Sequence, residues 1–152
     1  MKKIVIMRGV PGSGKSFAAK KIVENFRGES VCCSTDNFFM VNGEYKFDPS
    51  KIKIAHEWNK SCVRAAIEKS IPLIIVDNTN TQKWEYSNYV DMAREAGYSV
   101  EFKFPESHWW IDIGKRMMNK TFTDADVDLF HRKNRHGVPF EVIKAMMARF
   151  EF

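Results

Sequence analysis

Eight consecutive residues, Gly9-Val10-Pro11-Gly12-Ser13-Gly14-Lys15-Ser16, satisfy the pattern G-x-x-x-x-G-K-[ST] in full. Each position has a physical use in holding a polyphosphate. The glycines let the backbone turn N–H groups inward as an anion nest. A helix starting at the loop presents its positive end to the same charge. Lys15 reaches the β- and γ-phosphates, and the Ser16 hydroxyl is a ligand for Mg²⁺. A dinucleotide fingerprint is the competing use of Gly12-Ser13-Gly14, with Asp36 as its ribose-binding acid. It fails at Phe17, where a third small residue belongs, and it leaves Lys15 and Ser16 without a role.

Two acids close apolar runs, Asp36 in Ser34-Thr35-Asp36 and Asp77 in Ile75-Val76-Asp77-Asn78. Asp77 ends its run in the manner of a Walker B acid, which holds Mg²⁺ directly or through water. Asp36 is then free to orient a hydroxyl acceptor and take its proton. The structural alternatives are an N-cap before Asn37-Phe38-Phe39 for Asp36 and a turn-forming pair with Asn78 for Asp77. The phosphate loop favours the chemical reading of both. Asp124-x-Asp126-x-Asp128 fails as a calcium loop at Leu129 and Arg135, and the four histidines lack zinc-ligand spacing.

These residues need strand ends and helix starts to position them. Ile4–Met7 reads as a buried parallel strand, and helical spacing runs from Ala18 to Phe26, before Gly28. Val31–Ser34 is a second short strand, followed by a turn at Asn42-Gly43. Asp48-Pro49 opens a helix through Ile52, Ala55, Trp58, Cys62 and Ala66. Pro72–Asp77 is the clearest strand. Thr81 caps the next helix, with Tyr86, Tyr89, Val90 and Ala93 inward and Gly97 at its end. Tyr98–Phe104 is a fourth strand. Ser107 and the capping box at Thr123 start two more helices, Pro139 opens the last, and Arg149–Phe152 reads as a short edge strand. Strands alternating with helices predict an α/β fold with a parallel sheet covered on both faces.

The 152 residues fit a single domain, 1–152. The net charge of +5 suits a polyanionic partner. Cys32, Cys33 and Cys62 form neither a disulfide framework nor a C-x-x-C motif, which points to a reducing, cytoplasmic compartment. The apolar run after Lys3 is too short for a signal peptide, and no stretch approaches a membrane span. No membrane contact is expected, and nothing marks an obligate protein partner. Lys51, Lys53, Lys60, Arg64 and Lys69 give the second helix a basic face, either solvated or in contact with an anionic substrate.

Gly9–Ser16, Ser34-Thr35-Asp36, Val76-Asp77-Asn78-Thr79-Asn80 and Arg132-x-Asn134-x-His136-Gly137-Val138-Pro139 occur in this order in small P-loop kinases that resemble polynucleotide 5′-kinase. The chain is similar to the kinase-like domain of proteins that bind Nedd-type ubiquitin ligases, a branch labelled an AAA-type ATPase domain. Ala55-His56-Glu57-Trp58-Asn59 also looks like that branch. The resemblance covers nearly the whole chain. It implies a P-loop kinase fold with sheet order 2-3-1-4, a possible short fifth strand and a helical lid over about residues 115–136. It implies Asp36 as general base, Asp77 as the strand-three acid, and Arg132 as the lid arginine that meets the transferring phosphate. Lys115, Arg116, Lys120, Lys133 and Arg135 share the lid, and the cluster also fits a solvated helix end.

One departure matters. Polynucleotide 5′-kinases carry an arginine shortly after the base, and the stretch here is Asn37-Phe38-Phe39. Phe38 and Phe39 either stack on a base or pack beneath the helices. The expectation is an ATP- and Mg²⁺-dependent kinase acting on a hydroxyl of nucleic acid or nucleotide, with Lys15, Asp36 and Arg132 catalytic. Gly9–Ser16 bind the nucleotide, and Ser16 and Asp77 the metal. The alternatives are a kinase of a modified-base hydroxyl, a sugar nucleotide or another metabolite, and a nucleotide-gated binding module.

Overall fold

The computed structural model describes residues 1–152. Its main sheet has four parallel strands: β1 (Lys3–Met7), β2 (Ser30–Cys33), β5 (Leu73–Asp77) and β6 (Ser99–Lys103). Their spatial order is β2-β5-β1-β6, which is the expected 2-3-1-4 when main-sheet strands are counted alone. The short pair β3 (Met40–Val41) and β4 (Glu44–Tyr45) forms a separate antiparallel hairpin. Its turn is Asn42-Gly43, both with positive φ (51° and 82°), as a type I′ hairpin requires.

The two central strands are apolar on both sides because helices cover both faces. Ile4, Ile6, Ile74 and Val76 point to one face and meet Val63, Ala66, Tyr89 and Ala93. Those residues come from α2 (Ile52–Glu68) and α3 (Lys83–Glu95). Val5, Met7, Leu73 and Ile75 point to the other face and meet Ala18 and Ala19 of α1 (Lys15–Asn25). A third cluster joins α4 (His108–Met118), α5 (Asp124–Lys133) and α6 (Phe140–Arg149) around Trp110, Phe130, Ile143 and Met147, and it takes in Val10 from the phosphate loop. No helix is long and apolar enough to cross a membrane.

Two local expectations are corrected. The third helix is capped by Gln82 rather than Thr81, because Glu85 reaches back to the Gln82 N–H and the Thr81 hydroxyl donates to that same carboxylate. Arg149–Phe152 is not a fifth strand. The Glu151 N–H donates to the carbonyl of Thr81, in a loop, so no ladder can propagate. Phe150 and Phe152 instead pack against Trp110 and Phe104.

That tail is held by Arg8, which follows β1 and is 5% exposed. Its guanidinium donates to the carbonyls of Asn80 (2.9 Å), Thr81 (3.1 Å) and Glu151. It also lies within 4.9–5.5 Å of the ring centroids of Tyr86, Phe104 and Phe150. Carbonyls and ring faces, with no carboxylate in direct contact, neutralise this buried cation. Arg8→Ala strands three carbonyls and opens a void, so a loss of about 3–5 kcal/mol is expected in urea unfolding. Lys at this position should recover little, because one ammonium cannot reproduce the planar fork.

Candidate functional site

Three neighbouring strand ends carry the site. The phosphate loop follows β1, Asp77 ends β5, and Asp36 follows β2 across the sheet. Strands in a sheet lie about 4.8 Å apart, so the loop root and the Asp36 segment are separated by two strand spacings, with Asp77 between them.

The loop adopts its shape through Gly12 (φ 80°) and Gly14 (φ 89°), the left-handed conformation that favours glycine. A Cβ on Gly12 would lie 2.1 Å from the carbonyl oxygen of Phe130 in α5, so that helix presses directly on the loop. Two loop carbonyls are tied outward. Trp109 Nε1 donates to Gly12 O (2.9 Å), and the Ser107 hydroxyl donates to Ser13 O (2.7 Å). In a trans peptide the N–H points opposite its carbonyl, so the second bond turns the Gly14 N–H towards the other side. Ser107 also accepts from Trp110 N (3.1 Å), as the expected cap of α4. Trp109 carried no signal in the sequence. The side chains of Val10 and Ser13 are fully buried, so these residues serve the loop through their backbone. Helix α1 begins at Gly14 with no side-chain cap, which leaves its first-turn N–H groups available to an anion.

Lys15 and Ser16 converge on Asp77. Lys15 Nζ lies 3.0 Å from Asp77 Oδ1, and the Ser16 hydroxyl donates to Oδ2 at 3.3 Å. Asp77 is 8% exposed. The turn reading of Asp77-Asn78 gives way here, since Asn78 Oδ1 accepts from Thr35 N (2.9 Å) and joins β5 to the Asp36 segment. An alcohol and a carboxylate oxygen this close are a donor set suited to Mg²⁺, which takes one or two protein oxygens and completes its shell with phosphate and water. Ser16 and Asp77 would hold that ion, and it would supply charge neutralisation at the phosphates.

Asp36 is not a cap. Ser34 fills that position for the 3-10 turn Thr35–Phe39 and accepts from the Asp36 N–H. One Asp36 carboxylate oxygen accepts a hydrogen bond and the other faces an imidazole. The Tyr45 hydroxyl donates to Oδ1 (3.3 Å), and His136 Nε2 lies 3.5 Å from Oδ2. The Tyr45 and His136 rings lie against each other, centroids 4.0 Å apart. Burial and the Asp36 charge push the Tyr45 phenol well above its ordinary range, so it remains a donor. Tyr45 arrives through the hairpin, and His136 arrives from the segment between α5 and α6. Neither was singled out for a role in the sequence. Phe39 is buried and packs on Tyr45 and Phe47, and Phe38 lies against Phe39 and Trp58, so this aromatic pair belongs to the packing. Cys33 is buried on β2, which pushes its thiol up to about 12 and leaves it un-ionised at neutral pH.

The cations between residues 115 and 135 divide. Arg116 is gripped by Asp112 (3.0 and 3.1 Å) and Asp126 (2.7 and 2.9 Å), and Asp126 also accepts from Thr123 N to start α5. Arg116 is thereby committed to structure. Lys133 sits over the Trp109 ring at 4.0 Å. Arg132 makes an exposed pair with Asp128 (2.9 Å) in the last turn of α5, two residues from the carbonyl that touches Gly12.

Two hydrogen bonds from Arg116, outweighing burial, hold Asp126 below the usual carboxylate range. A depressed folded-state pKa contributes stability that is complete above about pH 4, the unfolded value, and is lost as pH falls through the folded one. Arg116→Gln should therefore be clearly less stable than the parent at pH 7, with the gap closing towards pH 2 in paired denaturant titrations.

A family described as an AAA domain matches residues 4–152. Human NEDD4-binding protein 2 is 38% identical over 97% of this chain, and the aligned region spans 8% of that protein. The 2',3'-cyclic-nucleotide 3'-phosphodiesterase of Rattus norvegicus is 26% identical over 75% of this chain and 26% of its own length. The chain therefore spans a small part of the relatives it matches. Among solved structures, a chain of the Pnkp1/Rnl/Hen1 RNA repair complex superposes with a TM-score of 0.62 at 19% identity, covering 97% of this chain and 43% of that one. The Mycobacterium tuberculosis APS kinase CysC, solved with AMPPNP and APS, gives 0.50 at 18% identity over 76% and 68%. These two share the kinase-like P-loop fold.

Proposed function

The chain belongs to the AAA-domain family, and from that membership and the site's geometry we propose an ATP- and Mg²⁺-dependent kinase that transfers the γ-phosphoryl group to a hydroxyl of nucleic acid or nucleotide. The carrying observation is the succession of phosphate loop, Asp77 and Asp36 on adjacent strand ends. A binding loop alone needs no second acid at a neighbouring strand end.

In this reading Gly9–Ser16 cradle the phosphates, and Lys15 exchanges Asp77 for the β- and γ-phosphates. Asp36 orients the acceptor hydroxyl and takes its proton as the oxygen attacks. The new oxygen–phosphorus bond forms while the bond from the γ-phosphorus to the β,γ-bridging oxygen breaks, and ADP leaves. Tyr45 and His136 hold Asp36 against rotation. The names of the relatives support the acceptor class, one acting on cyclic nucleotides and one structure belonging to RNA repair.

The test is incubation with γ-labelled ATP and a panel of 5′-hydroxyl DNA and RNA, nucleosides, hydroxymethylated duplexes and sugar nucleotides. Asp36→Asn should keep Mg·ATP affinity and lose transfer by ~10²–10⁴. Lys15→Ala should lose both. ATP hydrolysis without transfer to any acceptor would overturn the kinase and favour a nucleotide-gated module.

Arg132 has a separate expectation. To meet the transferring phosphate it must leave Asp128, so it acts in the closed complex and not in ATP capture. Arg132→Ala should lower kcat more than it raises KM for ATP. A change in KM alone would return it to substrate binding.

A further inference from the structure

A groove of about 390 Å³ opens between α2 and α3, lined by Ile52, Lys53, His56 and Lys60 on one side and Trp84 and Tyr89 on the other. It adjoins the candidate acceptor site, because His56 Nδ1 lies 3.4 Å from the Thr35 hydroxyl, one residue before Asp36. Its volume falls in the range of small-ligand sites.

The groove's acids are already committed. Glu85 accepts from the Thr81 hydroxyl and the Gln82 N–H at the start of α3, and Glu57 pairs with Lys60 (3.1 Å). Lys53 makes no ion pair within 4 Å, so the basic face of the second helix presents a cation to the groove that is not clamped by an acid. Trp84 is 72% exposed. Its Nε1 donates to Gln82 Oε1 (3.1 Å), and no other aromatic ring packs on its face. Phe38 and Phe39 are taken up by packing, whereas Trp84 presents an open aromatic face to the groove.

We propose that this groove is the acceptor-strand subsite, with Trp84 stacking on a base of single-stranded nucleic acid and Lys53 holding a phosphate. An exposed aromatic face beside a cation is the arrangement that holds single strands without reading their sequence. It also supplies, from α2, the phosphate grip that Asn37-Phe38-Phe39 lacks. The assignment rests on the kinase reading for its substrate but is tested without ATP.

The probe is a 3′-fluorescein-labelled 5′-hydroxyl hexathymidylate, followed by anisotropy across a salt series, with transfer from γ-labelled ATP measured in parallel. Trp84→Ala should weaken binding roughly tenfold or more, and Trp84→Phe should retain most of it. Lys53→Glu should flatten the log–log salt slope by ~0.7 for each phosphate that is no longer neutralised. Both positions are exposed, and circular dichroism melts confirm that the variants fold. Wild-type affinity in Trp84→Ala, or no binding by the parent protein, overturns the subsite. Transfer to the oligonucleotide with Trp84-independent binding overturns the subsite and leaves the kinase standing. Trp84-dependent binding with no transfer supports the subsite and removes this oligonucleotide from the acceptor panel of the kinase.

Discussion

The contact between Lys15 and Asp77 ties the phosphate loop to the end of the neighbouring strand. It exists because β1 and β5 are parallel neighbours in a register that sets Met7 beside Asp77, so that the chain leaving β1 loops back over the end of β5. An ammonium and a carboxylate, both nearly buried, are stable only as partners. The sheet order, the glycine turn and the start of α1 together deliver that cation to that anion. In the proposed kinase a polyphosphate competes for the same cation, and the resting pair is a placeholder of matching charge.

Around this junction the site divides by element. The phosphate loop is a rigid turn braced from outside by Ser107, Trp109 and the Phe130 carbonyl. The Asp36 segment is braced from three directions, by Asn78 through Thr35, by Tyr45 from the hairpin and by His136 from the far end of the lid region. His136 follows α5 closely, so the helix that touches Gly12 also leads into the residue that touches Asp36. The phosphate loop and the Asp36 segment are linked through one helix and its exit.

The sequence made legible whatever depends on local spacing. The phosphate loop, the strand-end acids, the Asn42-Gly43 turn, the Ser107 cap and the Thr123 capping box are all signalled within a few residues. Long-range pairings left no such trace. Tyr45 reads as an ordinary hairpin aromatic, and Arg8 as a polar residue after a strand, although it is buried among carbonyls and rings. Phe38 and Phe39 fit either stacking or packing until the neighbours of Phe39 are known. The absent fifth strand fails for the same reason: alternating aromatics at the chain's end pack against Trp110 and Phe104, and their backbone finds a loop, not a strand.

The outward ties on the phosphate loop bear on when it acquires its shape. Ser107 and Trp109 lie 94 and 97 residues along the chain from the carbonyls they hold. Pairings of such separation require most of the chain to be gathered first, and their loop-closure entropy is met before they contribute anything. The motif from Gly9 to Ser16 is contiguous, yet the cradle is a product of nearly complete folding. A nascent chain cut short before Ser107 carries every residue of the motif and neither of these ties.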